Sequence, residues 1–250
     1  MATEKTSTGS SGDNKGKPWS LHPTARGLRD WDGDPVPPTF PRRFWGLGLA
    51  DVEPTKDSKE AYEAVVEWAQ GLASQQERDG RRVCANRAGY GRGLCLSGPY
   101  GTLKTTIAAA ALYDIHRQQG ATVGFVRFPD LLEARRPPQQ NKQKDRFRSS
   151  HYVDHDANEL EHLEEAVRRA DVLLLDDVGS ERVVKDSGFA AEILESTLRK
   201  RFDAGRPTLI TTNLLESDWE TRYDERIASF LHEVCREYLV LGGPDLRMQS

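Results

Sequence analysis

Short apolar runs alternate with longer amphipathic stretches along most of this chain. GLCLS (93–97), ATVGFVRFP (121–129), VLLLDD (172–177) and TLITTN (208–213) are apolar almost to their last residues, which reads as strands buried on both faces. Between them lie helical patterns. In SKEAYEAVVEWAQGLA (58–73) the residues Tyr62, Val65, Val66, Ala69, Leu72 and Ala73 recur at three- and four-residue steps, with Ser58 as N-cap. TTIAAAALYDIHRQQG (105–120) is rich in helix formers and ends at Gly120. DLLEARR (130–136) starts another helix, and ELEHLEEAVRRA (159–170) is a further one. After VLLLDD, a long helix carries Phe189, Ile193, Leu194, Leu198 and Phe202 on one side and ends at the turn AGRP. The polar stretch QQERDGRR has neither period and is expected only to lead into the first strand. Strands separated by helices predict an α/β fold, a parallel sheet flanked by helices on both faces in three αβα layers.

The pattern fails at the N-terminus. Residues 1–36 are Ser, Thr, Gly, Lys, Asp and Pro with isolated aromatics, the composition of a disordered tail, in which Trp19, Leu21 and Trp31 could form a docking motif. Residues 37–90 read as a linker and helix packed on the core, with Phe40, Phe44 and Trp45 of PVPPTFPRRFWGLGL packing onto it, and 91–250 as the core itself without an evident C-terminal lid domain. With 250 residues, one good-sized core or two small ones can form. A net charge of -4 does not advertise nucleic acid, so any such binding needs a local basic strip. No apolar run is long enough to span a membrane. Cys84, Cys95 and Cys235 lack metal-like spacing and read as spare or buried thiols in a reducing cytoplasm.

The chemistry concentrates where apolar runs end. LCLSGPYGTLKTT (94–106) is nearly a phosphate-binding loop, which needs Gly, four residues, then Gly-Lys-Ser/Thr; Leu103 stands in place of the second glycine. Gly98, Pro99, Tyr100, Gly101, Thr102, Leu103, Lys104, Thr105 and Thr106 would cradle phosphates with backbone N–H groups at a helix N-terminus. In that reading Lys104 reaches the terminal phosphates of ATP and the Thr105 hydroxyl ligates Mg2+. Asp176 and Asp177 end the VLLLDD strand, where open parallel sheets bind ligands. Asp176 is suited to hold the magnesium through water. Asp177 either orients an attacking water or caps the next turn. Asn213, ending TLITTN, either positions water near the terminal phosphate or is an ordinary turn residue. Three polar elements at three strand ends, in chain order, favour ATP binding.

These residues resemble the AAA+ ATPases of the bacterial helicase-loader and IstB-like transposition-helper group. The likeness runs through RRFWGLGLADVEPT, GPYGTLKTTIAAAA, FPDLLEARR, ADVLLLDDVGSER, AGRPTLITTN, YDERIASFLHEVC and GGPDLR, roughly residues 37–247. It implies a P-loop NTPase of AAA+ type that hydrolyses ATP between the subunits of a ring or filament. By resemblance Asn213 is the sensor-1 residue, Arg226 faces the neighbouring subunit, and Arg247 corresponds to the group's terminal arginine, which acts as a sensor. Arg226 could instead pair with Asp224 or Glu225. Two residues depart from the pattern: Leu103, which either alters the loop's path or weakens binding, and Phe230, which stands where the group carries a second arginine. Residues 1–36 also read as too short and polar for the family's N-terminal domains.

From Arg135 to Arg148 the chain carries six basic residues, among them Lys142, Lys144, Arg146 and Arg148, against the single acid Asp145. With Phe147 and Tyr152 nearby, they suit either DNA contact, single- or double-stranded, or a solvated loop. The resemblance places a DNA-facing insertion here. The expected function is a cytoplasmic, homo-oligomeric AAA+ ATPase acting on DNA in replication and engaging a replicative helicase. Two alternatives stand beside it: a transposition helper engaging a transposase, and a weakly hydrolysing scaffold suggested by Leu103 and Phe230. A P-loop kinase fits less well, because no second basic lid follows the Asp-Asp strand.

Overall fold

The computed structural model describes residues 39–72, 75–78, 81–84, 91–136, 161–181 and 188–248. Residues 1–36 and the basic side chains Lys142, Lys144, Arg146 and Arg148 lie outside them. Five strands form one parallel sheet: β3 (Gly93–Ser97), β4 (Val123–Arg127), β5 (Val172–Val178), β6 (Thr208–Thr212) and β7 (Cys235–Val240), in the order β4-β5-β6-β3-β7. The other elements are α1 (Lys59–Gly71), a hairpin of β1 (Gln75–Arg78) and β2 (Arg81–Cys84), α2 (Lys104–Gln119), α3 (Phe128–Arg135), α4 over 161–169, α5 (Gly188–Asp203), α6 (Trp219–Arg222) and α7 (Glu225–Val234).

Strand order and crossover handedness together decide where the helices go. The crossovers β4 to β5, β5 to β6 and β6 to β7 all step toward the β7 edge, and right-handed connection puts their helices on one face. Only α2, joining β3 to β4, runs the opposite way, so it lies on the other face, where α1 packs beside it. Alternate residues of each strand feed these two layers. Leu94, Leu96, Val172, Leu174 and Leu209 pack with α1, α2 and the N-terminal aromatics, whereas Cys95, Leu173, Leu175 and Ile210 pack with α3, α5 and α7. Both faces are therefore dry, which explains the continuous apolar runs. Phe40 and Phe44 cover Phe125 of β4, at ring-centroid distances of 5.7 and 6.0 Å.

Several expectations are corrected in detail. Ser58 occupies the N-cap position of α1, but its hydroxyl bonds Thr55 rather than capping the helix. The side chain buried deepest on α1 is Trp68, absent from the predicted stripe, with its indole N–H satisfied by the Arg92 carbonyl, while Tyr62 and Val66 are only partly buried. The polar QQERDGRR region contributes to a hairpin, and CREYLV forms an edge strand that the apolar pattern does not announce. Cys95 and Cys235 are buried free thiols.

Candidate functional site

The loop after β3 is held in shape from outside. Gly98 has φ 144° and Gly101 has φ 77°, both in the region that favours glycine. Space demands glycine there as well. A Cβ on Gly98 would lie 2.1 Å from the Leu241 carbonyl oxygen, and one on Gly101 1.8 Å from Asp245 Oδ1. The segment 241–246 thus lies directly on the loop, with Leu241 N–H donating to Ser97 O (2.7 Å) and Leu246 N–H to Gly101 O (3.3 Å). Tyr100 projects from the loop's tip, 61% exposed, and Thr102 donates back to Pro99 O at 2.9 Å.

Leu103 immediately precedes α2 with φ 66° and ψ 6°, the left-handed conformation that glycine would adopt freely. The loop therefore keeps a glycine-like path in spite of its side chain, at a cost of about 1–2 kcal/mol. The leucine side chain packs against the α1–α2 core layer, which offsets part of that strain.

Lys104 opens α2 with its ammonium turned into the loop, donating to Gly98 O (2.7 Å) and Pro99 O (2.6 Å). Burial holds its pKa down to about 8; Asp177 pulls it up, Arg247 pushes it down and Asp176 pulls it up. Arg247, from the C-terminal segment, thus contributes positive charge to the surroundings of Lys104. Thr106, one position beyond Thr105, is buried.

Beneath the loop, two hydroxyls converge on one carboxylate oxygen. Thr105 Oγ1 donates to Asp176 Oδ1 at 2.7 Å, and Thr211 Oγ1 donates to the same atom at 2.6 Å. Asp176 is almost fully buried, and burial raises its pKa against the lowering effect of both hydroxyls. A hydroxyl beside a carboxylate is the hard-oxygen donor set that magnesium takes, so Thr105 and Asp176 fit such an ion. Among the described residues no group of three or more His, Cys, Asp or Glu side chains is arranged to hold a metal.

Asp177 sits in a bulge. The β5–β6 register shifts between Leu175 and Val178, Asp177 has φ 60°, and its N–H donates to Thr211 Oγ1 at 3.0 Å. Aspartate tolerates this conformation better than most residues. Among the described residues its carboxylate accepts no hydrogen bond from the following turn. Instead the Asp177 carbonyl accepts from Ser180, and the carboxylate lies 3.8 Å from the Arg127 guanidinium at the end of β4. Asn213 follows β6, two residues past Thr211, and its Oδ1 is buried without a hydrogen-bond partner among the described residues. The turn it occupies is fixed, because Leu214 O accepts from both Ser97 Oγ and Tyr238 Oη. Asn213 Oδ1 is thus a stranded polar atom in a braced turn.

Arg226 is apart from this cluster. It lies on the exposed face of α7, 2.9 Å from Asp224, on the rim of a cavity of about 460 Å³ lined by Glu192 and Glu195 of α5 and by Tyr223. Its guanidinium faces solvent. Phe230, one turn further along α7, is buried, edge-on to Phe202 at 6.3 Å, with the Arg199 guanidinium 4.3 Å from its ring centroid. Arg135, counted with the basic strip, is committed elsewhere, forming a two-pronged bond to Glu164 (2.7 and 2.9 Å) and a bond to Thr197.

Three contributors escaped sequence reasoning. Thr211 was visible only as one of two threonines before Asn213, and period-2 alternation marks it as the one sharing Asn213's side of the strand. Arg127 ends an apolar run as the acids do, and that signal applied equally to it. Glu181 gave no signal: its carboxylate gathers Gly179 N–H, Arg222 (2.6 Å) and Tyr223 Oη (2.8 Å), joining the loop after β5 to α6.

Comparison with solved structures gives the architecture a context. The DnaC helicase loader superposes with a TM-score of 0.57 at 23% identity, covering 81% of this chain and all 100% of the loader's. The fold is that of the helicase loaders. DnaI follows at 0.55 and 19% identity, covering 83% of this chain and 94% of its own. A replication initiator DnaA, bound to AMPPCP and single-stranded DNA, aligns at 0.51 and 16% over 79% of this chain and 50% of its own. No family model matches the sequence, and no curated protein matches it. These likenesses carry the fold, a three-layer α/β/α architecture. No helix among the described residues is long and apolar enough to cross a membrane.

Proposed function

We propose that this protein is an AAA+ ATPase acting with DNA in replication, as a helicase-loader-like factor. The observation that carries the reading is the Thr105–Asp176–Thr211 cluster set under the N-terminus of α2, with Lys104 beside it. Backbone N–H groups at the start of a sixteen-residue helix favour phosphate, and the adjacent hydroxyl–carboxylate pair suits the cation that accompanies it. A bound magnesium ion supplies charge neutralisation to the phosphates. The chain's own residues do the rest. Lys104 exchanges its loop carbonyls for phosphate oxygens, Asp177 orients the attacking water, Asn213 holds that water with its unpartnered Oδ1, and Arg247 adds positive charge next to Lys104.

Arg226, exposed on α7, is the residue to complete the site of a neighbouring copy in a ring or filament. The names of the similar structures, a helicase loader and a replication initiator, favour a replicative helicase as partner, with Lys142, Lys144, Arg146 and Arg148 as the DNA contact. A transposase captured from the native host instead would favour the transposition-helper alternative. The burial of Phe230 favours a second reading of the same site, slow turnover, since the side chain at that position carries no charge to a neighbour.

Equilibrium binding of ATP with magnesium to the wild type and to K104A tests the nucleotide assignment. Binding by the wild type and its loss in K104A is the expected result; equal, negligible binding by both sinks it. Phosphate release with DNA present separates the fast reading from the slow one.

A further inference from the structure

The loop that leaves β5 carries Asp177 at one end and, four residues on, a carboxylate bonded to a distant part of the chain. Glu181 Oε2 accepts from Gly179 N–H at 3.0 Å, closing its own loop into a tight turn. Its other oxygen, Oε1, accepts from Arg222 (2.6 Å) and from Tyr223 Oη (2.8 Å), and Arg222 donates to the Glu181 carbonyl as well. The Glu181 and Arg222 side chains are only 9% and 14% exposed, so solvent competes little with the pair. The start of the loop is fixed to β6, with Asp177 N–H donating to Thr211 Oγ1 and Val178 O accepting from Thr212 Oγ1. Glu181 thus fastens a braced loop to residues 222 and 223, the junction between α6 and α7.

That junction leads directly to Arg226. Tyr223 stacks on Trp219 at 5.5 Å and is followed by Asp224, the N-cap of α7. Asp224 Oδ1 accepts from Ile227 N–H at 2.9 Å, while its Oδ2 accepts from the Arg226 guanidinium at 2.9 Å. One carboxylate therefore fixes both the start of the helix and the direction of its arginine. With the Arg226 side chain 75% exposed, that direction depends on this bond and on the backbone beneath it.

We propose that Glu181 is a positioning residue: through Arg222, Tyr223 and the Asp224 cap it sets the pose in which Arg226 is offered to a neighbouring copy. The inference rests on the reading above, in which Arg226 completes a neighbour's site. Removing the Glu181 carboxylate leaves the shielded Arg222 cation without its partner and releases Tyr223, so residues 222–224 shift and the cap moves with them. A misplacement of about 1 Å in a catalytic group costs on the order of a hundredfold in rate.

Phosphate release from mixtures of full-length chains tests the role. R226A, which keeps its phosphate loop, is the recipient, and K104A, which keeps Arg226, is the donor. Glu181→Ala is then added to one or to the other. In the donor, E181A should cut the recovered phosphate release by about tenfold or more, and in the recipient by less than about threefold. In an otherwise wild-type chain, E181A should bind ATP with magnesium within about twofold of wild type, a loss of turnover without a loss of binding. E181Q, which keeps an acceptor for Tyr223 but not the charge facing Arg222, should fall between E181A and wild type in the donor. Melting temperatures check folding; should E181A not fold, E181Q in donor and recipient decides alone. Equal losses in the two positions, or a loss confined to the recipient, would make Glu181 a brace of its own loop and overturn the proposal, as would undiminished recovery. No recovery in the plain mixture of K104A and R226A overturns instead the role of Arg226 between copies, and that of Glu181 with it.

Discussion

Leu103 holds a backbone conformation that costs a leucine about 1–2 kcal/mol, and two terms oppose its replacement by glycine. A half-buried leucine contributes on the order of 1 kcal/mol through burial, and glycine adds about 0.5–1 kcal/mol of unfolded-state entropy. The terms nearly cancel, so L103G should change unfolding free energy by less than about 1 kcal/mol in urea while keeping or tightening ATP affinity. L103I should cost about 1–2 kcal/mol or more, because a β-branched side chain suits this conformation worst. A loss above about 3 kcal/mol in L103G would show that the side chain, not the backbone, shapes the loop. Lys104 gives a pH signature. Its pKa is depressed to about 8 in the free site, and phosphate oxygens would raise it on binding. Binding then takes up a proton, so affinity is fully present below pH 8 and falls as pH rises through it. About tenfold should be lost between pH 7 and 9, with proton uptake visible by calorimetry in buffers of different ionisation enthalpy. A flat profile would mean that Lys104 stays charged in the free protein.

At the scale of elements, one buried arginine joins three of them. Arg201 of α5 donates to the carbonyls of Val167, Ala170, Asp171 and Pro207 and to Thr208 Oγ1, tying the end of α4 and the start of β6 to its own helix. Burial lowers its pKa to about 9, and no carboxylate is needed because five acceptors surround it. R201M keeps much of the volume and strands those acceptors, so a loss on the order of 3 kcal/mol or more is expected in urea unfolding. A loss below about 1 kcal/mol would mean that water replaces the guanidinium. Nothing in the sequence distinguishes Arg201 from its exposed neighbours Arg199 and Lys200, because its partners are carbonyls that any residue could present. The same reason hid β7: CREYLV is an edge strand, half-covered and charged, so it lacks the apolar run that revealed β3 to β6. Strands buried on both faces were legible because the sheet leaves them no polar option, and the acids and Asn213 were legible because they interrupt such runs. Glu181 was not, since its place depends on contacts between distant segments.

At the scale of the molecule, Arg226 is exposed on α7 while Asp176 is buried beneath the loop, so turnover in which Arg226 completes a neighbour's site should need two chains. K104A should bind no ATP yet still present Arg226; R226A should bind ATP normally yet lack the neighbour's cation. Each alone should be inactive. Mixed in equal amounts, roughly a quarter of the sites pair an intact phosphate loop with an intact Arg226, and phosphate release should recover to about that fraction of wild type. The acidic rim of Glu192, Glu195 and Asp224 around Arg226 makes a contrary outcome readable. If R226A alone hydrolyses ATP as the wild type does, the arginine serves only its bond to Asp224, and the chain completes its site from within. Recovery in the mixture, rising with total protein concentration, would instead place the working unit at the contact between two copies.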